Sequence, residues 1–454
     1  MKISHRFLIA ACAWLVLAGT RQALAQTKAD IKKDTKTITK AEAKADAKAD
    51  TAVTTVLTPH SSDGIFSSTA SYTFEVHNHY DTRQVGKVAY NVLSEDGKRL
   101  KHDSVLVNLP KKTSQTLEFS VPGLKTGFYK INFTVNLTDY DDTTRRAFGI
   151  KPDEIHSQFA KPADFESFWQ NTMQELARVK PEYKMTEMPD SSKDGRRVFL
   201  IEMKSLDGIL VRGYLTEPVN KNKKKKFAVL LALPGYQVTL GPMSGKDPDM
   251  AIFTINIRGS GYSRDVINVR RESYIVLNLE DRNKYVLRGA IMDCVRSVDF
   301  IFSRPELRHD NIIAAGGSLG GFLAIATSAV DKRISFCSAA NPIFCDVRNL
   351  VGEVDWPFAD IRKYVNTRPG LTMDKVLNNL DYFDGKNFAT TLKCPTLVGL
   401  GLVDPIAPPN NVYAMYNGIK SQKHLILFRD LGHEIGEKYA IYEGRWMRDT
   451  FALF

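Results

Sequence analysis

The chain has 454 residues, 43% of them hydrophobic, and a formal net charge of +11. This length exceeds that of a usual single domain, so we expect two or three units with enough apolar residues for a sizeable core. Neither a zinc-finger spacing nor an RNP-type aromatic motif occurs, so the basic charge indicates a solvated surface and no nucleic-acid partner.

Residues 1–25 predict a secretory signal peptide. Lys2 and Arg6 precede the apolar run FLIAACAWLVLAG, and the sequence ALA at residues 23–25 supplies a cleavage site. The run is too short for a stable membrane anchor, and no later stretch is long and apolar enough to span a bilayer. Lipidation at Cys12, in the sequence IAAC, is a weaker alternative. We therefore expect an exported protein, either periplasmic or secreted.

Two segments follow the signal peptide. Residues 26–51 are low in complexity and nearly free of large apolar groups, which predicts a solvated tether. From residue 52 to residue 150, runs such as SYTFEVHN, KVAYNVLS and FYKINFTVN alternate apolar and polar residues between turn signals. This pattern predicts an all-β sandwich of immunoglobulin type. We interpret His77, His79 and His102 on these strands as surface residues, with a ligand role as the alternative.

Residues 151–454 predict a second domain of the α/β class. The stretch PADFESFWQNTMQELARV has helical periodicity and a plausible start near Asp164. Beyond it, the apolar runs FAVLLALPGY, MAIFTINIRG, DNIIAAGG, RISFCSAANP, CPTLVGLGLVD and HLILFRDLGH are separated by helical segments. Fully apolar strands that alternate with helices indicate a mostly parallel sheet covered on both faces.

The sequence NIIAAGGSLGGFLAIATSAV predicts a nucleophile turn around Ser318. Residues 312–315 fit a strand, residues 316–320 a tight turn and residues 319–330 a helix. In such a G-x-S-x-G turn the serine hydroxyl stands above the sheet, and the glycines avoid collisions with the strand and the helix. A phosphate-binding loop would require G-K-S or G-K-T, which is missing here, and a plain tight turn is the other alternative.

A serine nucleophile requires a base and an acid, which follow it in this fold in the order serine, acid, histidine. Only two histidines follow Ser318. His424 opens a strand, whereas His433 follows the end of that strand, where the site loops of a parallel sheet gather, so we predict His433 as the base. We predict Asp404, directly after a buried strand, as the acid in preference to Asp430.

The tetrahedral intermediate of this chemistry requires two hydrogen-bond donors for its oxyanion. We predict the backbone N–H of Leu319, next to the nucleophile, and a second one from the loop LLALPGYQV, which carries Gly235 and Tyr236. A flexible turn is the alternative for that loop. No C-x-x-C spacing suggests a metal or redox site, and the chemistry requires no cofactor.

Four cysteines remain after the predicted signal peptide: Cys294, Cys337, Cys345 and Cys394. An exported protein can form disulfides, and Cys337 could pair with Cys345 if the loop between them folds back. We favour the alternative, in which all four are buried thiols that pack as small apolar residues.

Residues from about 155 onward resemble the acetyl xylan esterase and cephalosporin-C deacetylase family, carbohydrate esterase family seven, within the α/β-hydrolase superfamily. The matching motifs occur in order: KPADFESFW, RGSGYSRD, RGAIMDCVRSVDFIFSRPEL, GGSLGG, LDYFDGKNFA, GLVDPIAPPNNVYAMYN and LGHE. The resemblance implies an α/β-hydrolase fold with an added N-terminal β domain. It also implies a triad of Ser318, Asp404 and His433, with Tyr236 and Leu319 as the oxyanion donors.

The chain departs from the family pattern at the oxyanion loop, where the usual H-G-Y is replaced by Pro234-Gly235-Tyr236. The predicted donor is a backbone N–H and is kept despite the replacement. We expect the replacement to change the conformation of the loop or the preference for acyl groups. Family members often form ring-like oligomers, which implies a homo-oligomer here if the added domain permits one.

Together these observations predict a secreted serine esterase that removes acetyl groups from acetylated xylan or xylo-oligosaccharides, and from other small acetyl esters such as cephalosporin C. Trp356, in the segment from about residue 341 to residue 385, is the candidate for selecting small acyl groups. The alternatives are a serine peptidase of the prolyl oligopeptidase type and a carbohydrate-binding protein with a vestigial hydrolase domain. About a hundred residues before the hydrolase domain are too few for the propeller of such a peptidase.

Overall fold

The computed structural model describes residues 53–95, 97–219, 225–244, 249–267, 269, 273–352 and 354–451. The predicted signal peptide and tether lie outside these residues. The chain divides into two compact units, with the boundary between Ile155 and His156. Among the described helices, none has the length and apolar character needed to cross a membrane.

The described part of the N-terminal unit contains eight strands in two sheets. They are β1 (Val53–Pro59), β2 (Ile65–Phe66), β3 (Ala70–Asn78), β4 (Gln84–Leu93), β5 (Arg99–Leu109), β6 (Ser114–Val121), β7 (Gly127–Leu137) and β8 (Asp141–Ile150). One sheet has the order β1-β3-β6 and the other β2-β8-β7-β4-β5. All pairs are antiparallel except β2 with β8. The alternating runs indicated five of these strands, whereas β1, β2 and β8 were not recognised from the sequence.

Aromatic side chains fill the space between the inward faces of these strands. Strand β3 alternates buried and half-buried positions, as a strand with one face in a core does. Its Tyr72 and Phe74 meet Phe133 at ring-centroid distances of 5.2 and 5.6 Å, and Phe119 and Phe148 complete the cluster. These buried aromatic residues therefore serve as core.

The histidines of the N-terminal unit bind neighbouring polar groups of the same unit. The Nε2 atom of His79 lies 2.9 Å from the Thr54 hydroxyl, and a ring nitrogen of His102 lies 3.1 Å from the carbonyl oxygen of Tyr90. In the described part of the chain, no group of three or more histidine, cysteine or acidic side chains could hold a metal ion.

The second unit combines nine strands with nine α-helices in its described part. The strands are β9 (Lys184–Glu187), β10 (Arg196–Lys204), β11 (Leu210–Pro218), β12 (Phe227–Leu233), β13 (Met250–Asn256), β14 (Leu307–Gly317), β15 (Phe336–Ala340), β16 (Thr396–Gly401) and β17 (Lys423–Phe428). The helices are α1 (Phe165–Arg178), α2 (Val286–Phe302), α3 (Leu319–Val330), α4 (Val347–Leu350), α5 (Phe358–Asn366), α6 (Met373–Leu380), α7 (Gly385–Ala389), α8 (Pro409–Gly418) and α9 (Gly436–Phe451). Short 3₁₀ turns occur in this unit at Pro189–Ser191, Leu206–Gly208, Gly261–Val266, Tyr274–Val276 and Asp381–Phe383, and another, Pro152–Glu154, belongs to the N-terminal unit.

The nine strands of this unit form one mixed sheet, in the order β17-β16-β15-β14-β12-β13-β11-β10-β9. The six strands from β17 to β13 are parallel. Strands β11, β10 and β9 continue the sheet in antiparallel fashion. The six parallel strands are the six apolar runs of the sequence, whereas the three antiparallel strands were not predicted.

Burial along the parallel strands shows that both faces of the sheet are covered. Every residue of β13 and β16 is buried, so side chains that point to either face lie under other elements. Helix α1 begins directly after Asp164, as predicted, and buries Phe165, Phe168, Trp169, Thr172 and Leu176. Parallel strands end at the same edge of the sheet, so the loops after β12, β14, β15, β16 and β17 gather there.

The four described cysteines are buried, free thiols. The pairing of Cys337 with Cys345 that the sequence left open is not formed. Burial raises the pKa of both thiols well above the ordinary value, which keeps them protonated.

Candidate active site

Ser318 lies in the tight turn between β14 and α3, with φ 59° and ψ −120°. A non-glycine residue at positive φ is strained, which is typical of a nucleophile turn. The strand runs to Gly317, so the turn is tighter than the one predicted over residues 316–320. A Cβ on Gly316 would lie 2.6 Å from the backbone of Gly320, and one on Gly320 would lie 2.5 Å from the carbonyl oxygen of Leu233. The glycines are therefore required by close backbone approach.

His433 and Asp404 are brought together by the loops that follow β17 and β16. The Nδ1 atom of His433 lies 2.8 Å from Oδ2 of Asp404. The Asp404 side chain is fully buried, while about a fifth of the His433 side chain is exposed to solvent, 21%. A buried carboxylate on one ring nitrogen fixes the tautomer and the orientation of the ring and leaves Nε2 for other chemistry.

The carboxylate of Asp404 is held by the turn that follows it. Its Oδ1 atom accepts hydrogen bonds from the backbone N–H groups of Ile406 and Ala407, at 2.8 and 2.9 Å. The competing acid, Asp430, is exposed and lies near Arg429. The competing base, His424, is exposed at the second position of β17, at the amino end of that strand and away from the edge where the site loops gather.

The loop after β12 lies beside the Ser318 turn. The close approach of Leu233 to Gly320 brings the start of this loop against α3. The hydroxyl groups of Tyr236 and Ser273 are hydrogen-bonded at 3.1 Å, and burial raises the pKa of Tyr236, which keeps the phenol neutral. Leu319 is the first residue of α3, so its N–H has no partner within the helix. The first turn of α3 therefore places one backbone donor, the N–H of Leu319, directly after Ser318.

Trp356 reaches the loop after β12 from the segment between β15 and α5. Its ring lies 4.7 Å from the ring of Tyr236, at an interplanar angle of 60°. Trp356 is half-buried, so part of its side chain is exposed to solvent. The two rings together form an apolar wall at the loop after β12.

The structure thus joins two pairs among the predicted site residues, His433 with Asp404 and Tyr236 with Trp356. In the part of the chain that the structure describes, no hydrogen bond joins the Ser318 hydroxyl to His433. Hydrogen bonds between a nucleophile and its base are often long in a free enzyme and close when substrate binds.

Two features near these residues were missed by the sequence analysis. Asn341, directly after β15, is 1% exposed and hydrogen-bonds the loop of His433. On β15, the Ser338 hydroxyl donates a 2.5 Å hydrogen bond to the carboxyl group of Glu443 in α9 and is also hydrogen-bonded to the Tyr439 hydroxyl. The sequence signal for Asn341 was a polar residue directly after a buried strand. The contact between Glu443 and Ser338 had no such signal, because a glutamate in an amphipathic helix is usually exposed.

Comparison with known proteins identifies a family that matches most of the chain. The family model described as acetyl xylan esterase (AXE1) matches residues 152–449. The acetyl esterase Axe7A of Xylanibacter ruminicola is 25% identical over 296 residues, a match that covers 62% of this chain and 65% of that protein. The chain therefore spans less than two thirds of the length of this relative.

Two solved structures resemble the second unit in fold. The acetyl xylan esterase from Paenibacillus sp. R4 aligns with a TM-score of 0.61 and 23% identity, over 66% of this chain and 98% of that one. Acetyl xylan esterase 1 from Thermoanaerobacterium sp. JW/SL YS485 aligns with a TM-score of 0.60 and 22% identity, over 66% and 97%. The second unit thus has the α/β-hydrolase-type esterase fold.

Proposed function

The chain belongs to the acetyl xylan esterase family, and from this we propose that it is a serine esterase that removes acetyl groups from acetylated xylan or xylo-oligosaccharides. Ser318 is the nucleophile, His433 the general base and acid, and Asp404 the residue that orients His433. The observation that carries the proposal is the 2.8 Å hydrogen bond between His433 and the buried Asp404, at the sheet edge where the strained Ser318 turn lies.

In the acylation step, Oγ of Ser318 attacks the acetyl carbonyl carbon while Nε2 of His433 takes the hydroxyl proton. The carbonyl oxygen becomes an oxyanion, which accepts hydrogen bonds from the backbone N–H groups of Leu319 and Tyr236. When the tetrahedral intermediate collapses, the bond to the sugar oxygen breaks and His433 returns the proton to it. The products are the free sugar hydroxyl and an acetyl ester on Ser318.

In the deacylation step, water attacks the acetyl ester while His433 takes one of its protons. Collapse of the second intermediate releases acetate and returns the proton to Ser318. Asp404 stays ionised throughout and stabilises the imidazolium that forms at each step. No metal or organic cofactor takes part.

The substrate proposal rests on the family and on the apolar wall of Tyr236 and Trp356, whose ring centroids are 4.7 Å apart. We propose that this wall contacts the methyl group of the acetyl ester and limits the length of the acyl chain. Other small acetyl esters, including cephalosporin C, fit the same description. Trp356 is partly exposed to solvent, and we propose that the sugar lies on this exposed part of the side chain.

For the rest of the chain we propose export and a structural N-terminal unit. Export rests on the signal-peptide pattern of residues 1–25, and the periplasm and the medium both remain compatible with it. We interpret the N-terminal unit as an immunoglobulin-like sandwich that acts as a spacer, because its buried aromatic residues form its own core. A homo-oligomer stays a prediction from the family.

The test is acetate release from acetylated xylo-oligosaccharides by the full chain, beside its Ser318→Ala and Ser421→Ala variants. Ser421 is half-buried and binds the carbonyl of Cys394 at the amino end of β17, so it is a matched serine away from the site. We expect release by the parent and by Ser421→Ala, and a loss of about 10³-fold or more in Ser318→Ala.

Each other outcome rejects a stated part of the proposal. Full activity in Ser318→Ala would show that Ser318 is not the nucleophile. A parent that cleaves p-nitrophenyl acetate in a Ser318-dependent way but releases no acetate from the sugar esters would reject the substrate class alone. The peptidase alternative predicts Ser318-dependent cleavage of peptides, and the vestigial-domain alternative predicts no hydrolysis of either ester.

A further inference from the structure

Asn341 lies between the three segments that carry the proposed triad. It directly follows Ala340, the last residue of β15, whose carbonyl oxygen accepts a 2.8 Å hydrogen bond from the backbone N–H of Ser318. Its backbone has φ 41°, in the left-handed region that asparagine tolerates better than most residues. The chain therefore turns sharply beside the nucleophile, and the turn points the Asn341 side chain across the ends of the neighbouring strands.

The Asn341 amide joins the segment of the acid to the segment of the base. Its Oδ1 atom accepts a 3.0 Å hydrogen bond from the N–H of Gly401, the last residue of β16, three residues before Asp404. Its Nδ2 atom donates a 3.1 Å hydrogen bond to the carbonyl oxygen of Gly432, directly before His433. The Asn341 backbone N–H donates to the carbonyl oxygen of Gly399 at 2.8 Å.

The two segments are in close backbone contact where the amide bridges them. A Cβ on Gly401 would lie 2.1 Å from the carbonyl oxygen of Gly432 and 2.4 Å from that of Leu431. Two carbonyl oxygens therefore face a narrow, part-buried space, and Asn341 supplies a donor to one of them. Without that donor the part-buried carbonyl of Gly432 loses a hydrogen-bond partner, which favours a shift of the loop.

We propose that Asn341 is a positioning residue, which sets His433 in register with Asp404 and Ser318 through the Gly432 carbonyl. The inference rests on the proposed function, since it assumes that these three residues perform the chemistry. Asn341 acts through the backbone next to His433 and does not itself touch the substrate. A displacement of about 1 Å at a catalytic group can cost roughly 100-fold in rate, so a single loop hydrogen bond is enough to matter.

Two substitutions distinguish the effect of the Asn341 side-chain amide from the effect of its backbone conformation. Asn341→Gly keeps the positive φ without strain and removes both side-chain hydrogen bonds. Asn341→Asp keeps the size of the side chain and the acceptor for Gly401, and places an oxygen against the Gly432 carbonyl. The matched control is Asn387→Asp, because Asn387 of α7 is 3% exposed and donates at 2.8 Å to the carbonyl of Asp381, within the same unit.

Two readouts distinguish positioning from a general loss of stability. The first is the separation of kcat from KM on p-nitrophenyl acetate, measured well below the unfolding temperature of every variant. The second is the rate at which paraoxon labels Ser318. In that reaction Oγ bonds to phosphorus, p-nitrophenolate leaves and the serine proton passes to His433, so its rate depends on the base without any substrate-binding step for the sugar.

For both Asn341 variants we expect kcat to fall about 10- to 100-fold while KM changes less than about threefold. The labelling rate should fall with kcat, and Asn341→Asp should lose more than Asn341→Gly. The control Asn387→Asp should keep kcat and the labelling rate within about twofold of the parent, even if its unfolding temperature drops.

The inference fails if both Asn341 variants keep kcat and the labelling rate within about twofold of the parent, or if Asn387→Asp loses the same factor as they do. These outcomes leave the proposed function standing as long as Ser318→Ala is inactive and resists labelling. If Ser318→Ala hydrolyses the ester or is labelled like the parent, the proposed function itself fails.

Discussion

The Nδ1 atom of His433 and the Oδ2 atom of Asp404 are 2.8 Å apart, although 29 positions separate the two residues in the chain. The contact exists because β16 and β17 are parallel neighbours, so the loops after them leave the same edge of the sheet. Two backbone N–H groups, of Ile406 and Ala407, hold the other carboxylate oxygen. The imidazole is therefore oriented by a carboxylate that is itself fixed in place.

The first prediction concerns this contact. Asp404→Asn places an amide at Nδ1, and an amide N–H there favours the tautomer whose Nε2 carries the proton and cannot accept one from Ser318. We expect kcat/KM on p-nitrophenyl acetate to fall roughly 10³- to 10⁴-fold with little change in the unfolding temperature. The control is Asp430→Asn, an exposed aspartate close to the loop of the base. A loss in Asp404→Asn of less than about tenfold would contradict the orienting role.

A second prediction tests why glycine occupies position 320. A Cβ there would lie 2.5 Å from the carbonyl oxygen of Leu233 and 3.1 Å from its carbonyl carbon, and neither atom can rotate away. We expect Gly320→Ala to lower the free energy of unfolding by about 1–3 kcal/mol. It should also lower kcat, since the loop that has to move carries the proposed donor of Tyr236.

The matched control for that substitution is Gly436→Ala, at the start of α9, where a Cβ would meet no atom within 4 Å. Thermal unfolding and kcat on p-nitrophenyl acetate measure both effects. If the two alanine variants are equally stable and equally active, the close approach of β12 to α3 does not constrain the turn.

Local patterns in the sequence were sufficient to predict the parallel core and the turn at Ser318. The strands of a covered parallel sheet are apolar throughout. The glycines around Ser318 indicate a close approach between backbone segments that is typical of a nucleophile turn. The base could be chosen because His424 and His433 are the only histidines after Ser318 and lie at opposite ends of one strand.

The features missed by the sequence analysis are those that depend on pairing between distant segments. Strands β9 to β11 are antiparallel strands at one end of the sheet, and their partners cannot be identified from their own residues. Asn341 binds Gly401 and Gly432, which are 60 and 91 positions away. In the sequence, an asparagine before a proline has the pattern of an ordinary turn residue. Its hydrogen-bond partners can be identified only once the fold is known.

A third prediction concerns the length of the acyl group. The Trp356 ring packs against Tyr236 at 4.7 Å, next to the proposed oxyanion donor. Removal of the ring in Trp356→Ala should open space beside the acyl carbon, so the kcat/KM ratio of p-nitrophenyl butyrate to acetate should rise about tenfold. Trp356→Phe keeps an aromatic wall and should change the ratio less. An unchanged ratio in Trp356→Ala would remove this residue from the selection of acyl groups.

The fourth prediction concerns pH and stability. Burial raises the pKa of Glu443 to about 7, an effect that its hydrogen bond from Ser338 opposes in part. Tyr439 and Cys337 also face this cluster, and burial raises the pKa of both well above the ordinary value, so they stay neutral. Glu443 is thus the group of this buried cluster that titrates near neutral pH.

The sign of the effect follows from the direction of the shift. Between the ordinary glutamate value of 4.5 and about 7, the folded chain holds a proton that the unfolded chain releases. The stability of the fold therefore decreases as pH rises through this window and levels off above it, by up to about 3 kcal/mol from this group. Asp384, whose pKa burial raises to about 6, contributes in the same direction.

The variant Glu443→Gln is neutral at every pH and keeps an oxygen and an amide for Ser338. We expect it to unfold at nearly the same temperature as the parent at pH 5 and at a higher temperature at pH 8, when both are compared by calorimetry. Glu437→Gln, an exposed position in the first turn of the same helix α9, is the control and should track the parent at both pH values. Only a group that titrates between pH 5 and pH 8 can make the difference in unfolding temperature between variant and parent depend on pH. If Glu443→Gln differs from the parent by the same amount at both pH values, Glu443 does not change its charge in this range.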